Sequence, residues 1–296
     1  MLSETQKKVV DLLEDSKSAE VRRYAEFLQG QADAIKSEDL DNFSITSGME
    51  GGGKSNDLLV SNFYLSAYLK KEISISKNWF FSGSEYLKAL ENIFIEMVGL
   101  TGLKLSEFVE ADLSSVITSF DENALDKLKK KYRWTFYVLD EAQDLMHFDF
   151  MNAFNRRFTK IMMAIRELNL IFSLAYPDIT MLNRYLRCFR VKTFKFCFPL
   201  PDGSRSLALY ARRSYYRLIL NPSKYIQMNS LLGDAFINKF APDLIVMRMP
   251  RFPTDTPDYK EYLSLKRLSM ARIVLKDSGS LLREAKKSPK NEPMDA

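Results

Sequence analysis

Two short stretches carry residue types whose spacing could do chemistry. Residues 48–56 read GMEGGGKSN, which places four of the chain's 11 glycines in six positions and then sets Lys54 and Ser55 behind them. Gly48-Met49-Glu50-Gly51-Gly52-Gly53-Lys54-Ser55 satisfies G-x-x-x-x-G-K-[ST] at every fixed position. This composition suits a phosphate cradle. Consecutive backbone N–H groups must turn inward around anionic oxygens, which takes positive φ angles and close approach that glycine tolerates. Lys54 would bring a flexible point charge to the β- and γ-phosphates, Ser55 a hydroxyl ligand for Mg²⁺, and the helix that follows its positive end. Glu50 and Asn56 complete the expected nucleotide-contact set. The second stretch is WTFYVLDE at 134–141, an apolar run closed by two acids. Asp140 is placed to serve the magnesium, and Glu141 to polarise an attacking water as general base. The pair of stretches predicts hydrolysis of a magnesium-bound nucleoside triphosphate. The chain has no N/T-K-x-D segment of the kind that specifies guanine, which favours ATP.

Other chemistries are poorly supplied. A single histidine, His147, and two cysteines, Cys188 and Cys197, leave no Ser-His-Asp or Cys-His set with supporting neighbours and no zinc site of ordinary spacing. Both cysteines read as buried free thiols. No uninterrupted apolar run approaches the roughly 20 residues that span a bilayer, and the N-terminal residues lack the apolar core of a secretory signal. The expectation is therefore an intracellular, cytoplasmic chain with no membrane segment. The 296 residues are 46% hydrophobic, enough for a sizeable core, and the net charge of +5 is too mild by itself to name a partner.

The chemistry must be positioned by strands that end at it. Phe43–Ser47 is a short alternating segment running into the glycines, and 57–70 is helical with Leu58, Leu59, Phe63 and Leu69 as its inner face. Strands are expected at 78–82, 134–139 and 170–175, and helices at 85–98, capped by Ser84, at 148–168 and at 179–186. A charged run, DKLKKK, lies in a connecting helix between 99 and 131. From Val191 the period changes to two, and Pro201-Asp202-Gly203 marks a β-hairpin at one edge of the sheet. Two amphipathic helices precede the core, a helix covers 259–276 with an extension toward Lys287, and the last residues read as disordered. The organisation expected is an N-terminal helical segment (1–40), a core (41–218), and a proline-broken segment with a basic helix (219–296). Strands alternating with helices, each strand apolar on both faces, imply a three-layer α/β/α fold around a mainly parallel sheet.

GMEGGGKSN together with FYVLDEAQD resembles the additional-strand catalytic-glutamate branch of P-loop NTPases, whose core is a RecA-like sheet. Ser55-Asn56, LNLIFSLAYPD and LNRYLRCFR look similar to the HerA/FtsK class, which contains hexameric DNA translocases, viral genome-packaging ATPases and Zot-like phage assembly ATPases. The likeness covers about residues 41–200 and is anchored at the two Walker segments. It implies ATP and Mg²⁺ as ligands, DNA as a partner and a homo-oligomeric, hexamer-like ring. In that class the strand after the acidic pair often ends in a polar sensor. Here it ends Ser173-Leu174-Ala175-Tyr176-Pro177, a departure that leaves Gln143 as a substitute. DEAQD also matches motif II of superfamily 1 helicases, but the second domain and the G-D-x-x-Q segment of those enzymes are missing.

Between Arg184 and Arg217 nine basic residues face one acid, Asp202. Arg190, Lys192, Lys195, Arg205, Arg212 and Arg213 are the candidate nucleic-acid contacts there, and Phe194, Phe196 and Phe198 read as core on the alternate strand face. Arg157 and Arg187, ahead of Arg156 and Arg184, are candidates for an arginine inserted into a neighbouring subunit's site. The function expected is an oligomeric, Mg²⁺-dependent ATP hydrolase that moves or packages DNA. The alternative is a nucleotide-dependent assembly or regulatory module acting on protein partners.

Overall fold

The computed structural model describes residues 2–38, 41–99, 122–140, 154–179, 182, 185–220, 228 and 239–287, of which 38, 122, 124, 154–158 and 273–287 are described in backbone alone. Of the tail expected to be disordered, 286–296, residues 286 and 287 end the last helix, whereas 288–296, the start of the 148–168 helix and most of 99–121 lie outside these residues. Among the described residues no helix is long and apolar enough to cross a membrane.

The fold is α/β, among the described residues a mixed seven-stranded sheet with helices on both sides. Its strands are β1 (Asn42–Gly48), β2 (Trp79–Phe80), β3 (Phe136–Leu139), β4 (Ile171–Ala175), β5 (Thr193–Pro199), β6 (Arg205–Ala211) and β7 (Leu244–Val246), in the spatial order β2-β3-β4-β1-β5-β6-β7. Pairing is parallel from β2 through β5 and antiparallel from β5 to β7. The strand leading into the glycines, β1, is thus separated by β4 from β3, the strand ending at Asp140.

Alternation along the strands sorts the two faces. Phe43 and Ile45, Tyr137 and Leu139, Phe172 and Leu174, and Phe194, Phe196 and Phe198 point to one side. They pack there against α5 (Gly83–Gly99), α6 (Glu122–Tyr132), α7 (Phe154–Ala164) and α8 (Arg212–Ile219). The other side is covered by α1 (Glu4–Glu14), α2 (Ala19–Glu38), α3 (Lys54–Tyr68), α4 (Ile75–Asn78) and the first turns of α9 (Pro257–Lys287). Helix α1 begins in a reciprocal cap: Ser3 Oγ accepts from the Gln6 N–H at 3.1 Å while Gln6 Oε1 accepts from the Ser3 N–H at 2.9 Å.

Several local expectations change. The 78–82 strand shrinks to two residues because α4 runs up to Asn78, and Ser82, not Ser84, accepts from the Glu85 N–H at the start of α5. The hairpin β5–β6 is not the edge, since β7 adds outside it. Around 179–186 the described backbone holds a π-helical turn at Leu186–Arg190. Helix α3 is buried on more than the expected face, because α1 and α2 cover the side turned away from the sheet. Ser61, Asn62 and Ser66 are buried as well, and they turn back on their own helix: Ser61 Oγ donates to Asp57 O at 2.7 Å, Asn62 Nδ2 to Leu58 O at 2.8 Å and Ser66 Oγ to Phe63 O at 2.7 Å.

Beneath α3 lies a buried ionic cluster. Asp57, fully buried in its first turn, accepts from Lys195 Nζ at 2.8 Å, Thr46 Oγ1 at 2.7 Å and the Tyr24 hydroxyl. Lys195 Nζ also donates to Ser61 Oγ at 2.8 Å. Both charges are paired and hydrogen-bonded, the condition under which a buried pair is tolerated. Burial and the neighbouring Asp57 push the Tyr24 phenol well above its ordinary range, so it stays a donor.

Removing one partner leaves the other charge buried and alone. Asp57→Ala should cost about 3–5 kcal/mol in urea denaturation, whereas Asp57→Leu combined with Lys195→Met should cost much less than the sum of the single changes. Additive losses would show that the pair is not coupled.

Candidate functional site

At the carboxyl ends of β1 and β3 the two sequence stretches meet around a cavity of about 460 Å³. It is lined by Gly48, Glu50, Gly51, Gly53, Lys54, Ser55 and Asn56 from the glycine segment, and by Asp140, Ala175, Pro177, Arg205 and Lys266 from elsewhere. Two glycines are required by the backbone. Gly48 has φ +130°, and a Cβ there would run into the carbonyl of Cys197 on β5. Gly53 caps α3 with φ +103°, and its Cβ would come within 2.8 Å of Arg205 Cδ and 2.9 Å of Met249 Cε. Gly52 closes the turn, its N–H donating to Met49 O at 3.0 Å.

Lys54 folds back over its own loop and donates to Gly48 O at 2.9 Å and Met49 O at 3.0 Å. Ser55 Oγ donates to Asp140 Oδ1 at 3.0 Å, joining residues 85 apart in sequence. Asp140 is 1% exposed. Its other oxygen, Oδ2, accepts from the Tyr262 hydroxyl at 2.6 Å and pairs with Lys266 Nζ at 3.2 Å. Burial and the nearby Asp140 charge raise the Tyr262 phenol above its usual range, which keeps it a donor. Among the described residues no three His, Cys, Asp or Glu side chains cluster as a self-sufficient metal site. A hydroxyl and one carboxylate suit a hard cation that takes its remaining oxygens from water and from phosphate, as Mg²⁺ does.

Asn56 lines the cavity, but its amide fastens the chain near 250: Nδ2 donates to Pro250 O at 2.9 Å and Oδ1 accepts from the Phe252 N–H at 2.8 Å. Glu141 and Gln143 lie outside the described residues, as do His147 and Arg184. Arg157 and Arg156 sit on α7 with backbone alone described. Arg187 is in the π-helical turn away from the cavity, where its carbonyl accepts from the Tyr215 hydroxyl at 2.9 Å.

The basic segment does not form one stripe. Lys195 is 2% exposed and paired with Asp57, and Arg190 is 5% exposed and paired with Asp41. Neither stands where the expected polymer contact needs it, because a phosphate backbone cannot reach them without breaking a buried pair. Arg205 lines the glycine-lined cavity, and Lys192 lies half-buried beside Asp41 and α2. Arg212, Arg213 and Arg217 are exposed, all on α8.

Lys266 and Tyr262 were not among the expected site residues. Their signal was a Tyr-x-x-x-Lys pair on one face of a basic helix, which carries no indication of where that face docks. No protein-family model matches the sequence, and no curated protein matches it.

Gly48→Ala should destabilise the chain by about 1–3 kcal/mol or more, through positive φ and the Cys197 carbonyl. Gly30→Ala, in α2 with nothing within 4 Å of the added carbon, should be neutral or stabilising by up to about 1 kcal/mol. Equal melting temperatures for the two variants would contradict the stated role of Gly48.

Proposed function

We propose that the chain is a Mg²⁺-dependent ATP hydrolase built on a P-loop NTPase core. The observation that carries this reading is the 3.0 Å hydrogen bond of Ser55 to Asp140 at the rim of a glycine-lined cavity. A hydroxyl following a phosphate-loop lysine and a carboxylate ending a nearby strand are the two protein groups such chemistry asks of the metal side. The strand between β1 and β3 also supports the additional-strand branch. Loop N–H groups and Lys54 would hold the phosphates, with Lys54 exchanging Gly48 and Met49 carbonyls for phosphate oxygens. Ser55 and Asp140 would hold Mg²⁺, which when bound neutralises charge on the β- and γ-phosphates. Glu141 would orient and deprotonate the attacking water, directly after the strand that fixes Asp140.

The action on DNA is the second part of the proposal, and Arg212, Arg213 and Arg217 on one exposed helix favour it. A DNA-moving ring would set this face toward the phosphate backbone. In the assembly-module alternative the same face would meet an acidic protein.

Lys54→Ala should weaken ATP binding at least tenfold by calorimetry. Glu141→Gln should leave binding intact and abolish turnover, and surviving turnover would remove Glu141 as the base. Charge reversal at Arg212, Arg213 and Arg217 should lower DNA affinity. It should also flatten the logarithmic salt dependence by about 0.9 for each phosphate that is no longer neutralised. Unchanged salt dependence, or a wild-type chain that ignores DNA, would favour the protein-acting alternative.

A further inference from the structure

The position a divalent cation needs between Ser55 and Asp140 already holds a cation of the chain itself. Lys266 Nζ donates to Ser55 Oγ at 3.1 Å, to Asp140 Oδ2 at 3.2 Å and to the Tyr262 hydroxyl at 3.2 Å. Lys266 is the ion-pair partner of Asp140 among the described residues, and the carboxylate is buried. A buried carboxylate is strongly disfavoured without a positive partner, so something must neutralise Asp140 whenever no metal is bound. Tyr262 and Lys266, one turn apart on α9, reach the carboxylate together.

Helix α9 is held in this position on both sides of the pair. Its first turn is capped by Thr256, whose Oγ1 accepts from the Tyr259 N–H at 3.4 Å, and Asn56 clamps the segment just before it. Tyr262 packs against Phe81 with centroids 5.6 Å apart, and Ser269 Oγ donates to Phe81 O at 3.4 Å. The ammonium is therefore delivered by a docked helix. An ammonium and a dication cannot share the same two oxygens, because like charges so close together repel strongly at a poorly solvated site.

Resting on the nucleotide reading above, we propose that Lys266 is a tethered counter-cation of the metal subsite. In the nucleotide-free chain it neutralises Asp140 and bridges it to Ser55, and it must leave when the metal–nucleotide enters. Its four-carbon stem lets the ammonium swing away without moving the helix axis. Lys266 thereby sets the affinity of the subsite for divalent metal, because its ammonium and the metal compete for the Ser55 and Asp140 oxygens while α9 stays docked.

The test is Mn²⁺ binding to the full chain with ADP, followed by electron paramagnetic resonance, in wild type, Lys266→Ala, Lys266→Met and Lys266→Arg. Lys266→Met retains the apolar stem, so a folded variant without the charge is available if alanine disrupts the helix. Roughly tenfold tighter Mn²⁺ binding is expected for the Ala and Met variants, in the range typical of site coupling. Lys266→Arg should stay near wild type, and Lys260→Ala, on the same helix outside the site, should match wild type. Equal or weaker Mn²⁺ binding by Lys266→Ala and Lys266→Met would overturn the proposal. ADP binding that no form couples to Mn²⁺ would overturn it while sparing nucleotide binding. Failure of every form, wild type included, to bind ADP would overturn the nucleotide reading and this inference with it.

Discussion

The burial of Asp57 in the first turn of α3 is the constraint on which the rest of the arrangement depends. That carboxylate draws a hydroxyl from β1, an ammonium from β5 and a phenol from α2 to one point. The N-terminus of α3 is therefore tied to the sheet and to the outer helix layer at once. The same turn carries Lys54 and Ser55, so their direction follows from an ionic cluster some residues further in. A negative charge in the first turn also suits the helix dipole. Apolar packing could cover α3, but it is non-directional and would leave its rotation about the axis less determined.

A second consequence is that three distant parts of the chain make one site. Ser55 comes from the glycine segment, Asp140 from the end of β3 and Lys266 from α9. The described residues 239–252, set among prolines, are nevertheless built into the body: β7 extends the sheet, Glu20 of α2 accepts from the Met247 N–H at 2.8 Å, and Asn56 holds the 250–252 segment. The cavity consequently has one wall made by the glycine segment and another to which Lys266 of α9 contributes.

Legibility varied with the range of the signal. β1, the glycine segment and α3 could be read because strand, turn and helix patterns follow one another within about 30 residues. β3 and β4 could be read because a strand buried on both faces is a continuous apolar run. β7 was missed because three residues of Leu-Ile-Val among prolines resemble any loop, and they become a strand only by pairing with β6. The misreading of Lys195 has the same origin. Alternation put it on the face opposite Phe194 and Phe196, which is correct, but the pattern could not say that this face is covered by α3 and carries a waiting carboxylate.

What the sequence determined by itself was local: where glycine must permit a turn, which residues follow it, and which apolar run ends in acids. Those features depend on backbone sterics and on periodicity, which act between near neighbours. Tertiary structure alone decided which charges are paired and which face solvent, splitting one basic stretch into a buried clamp, a cavity wall and an exposed helix face. It also decided that a lysine more than 200 residues from the glycine segment stands beside Ser55 and Asp140. Electrostatic pairing is a matter of distance in space, and no residue pattern encodes that distance until the chain has folded.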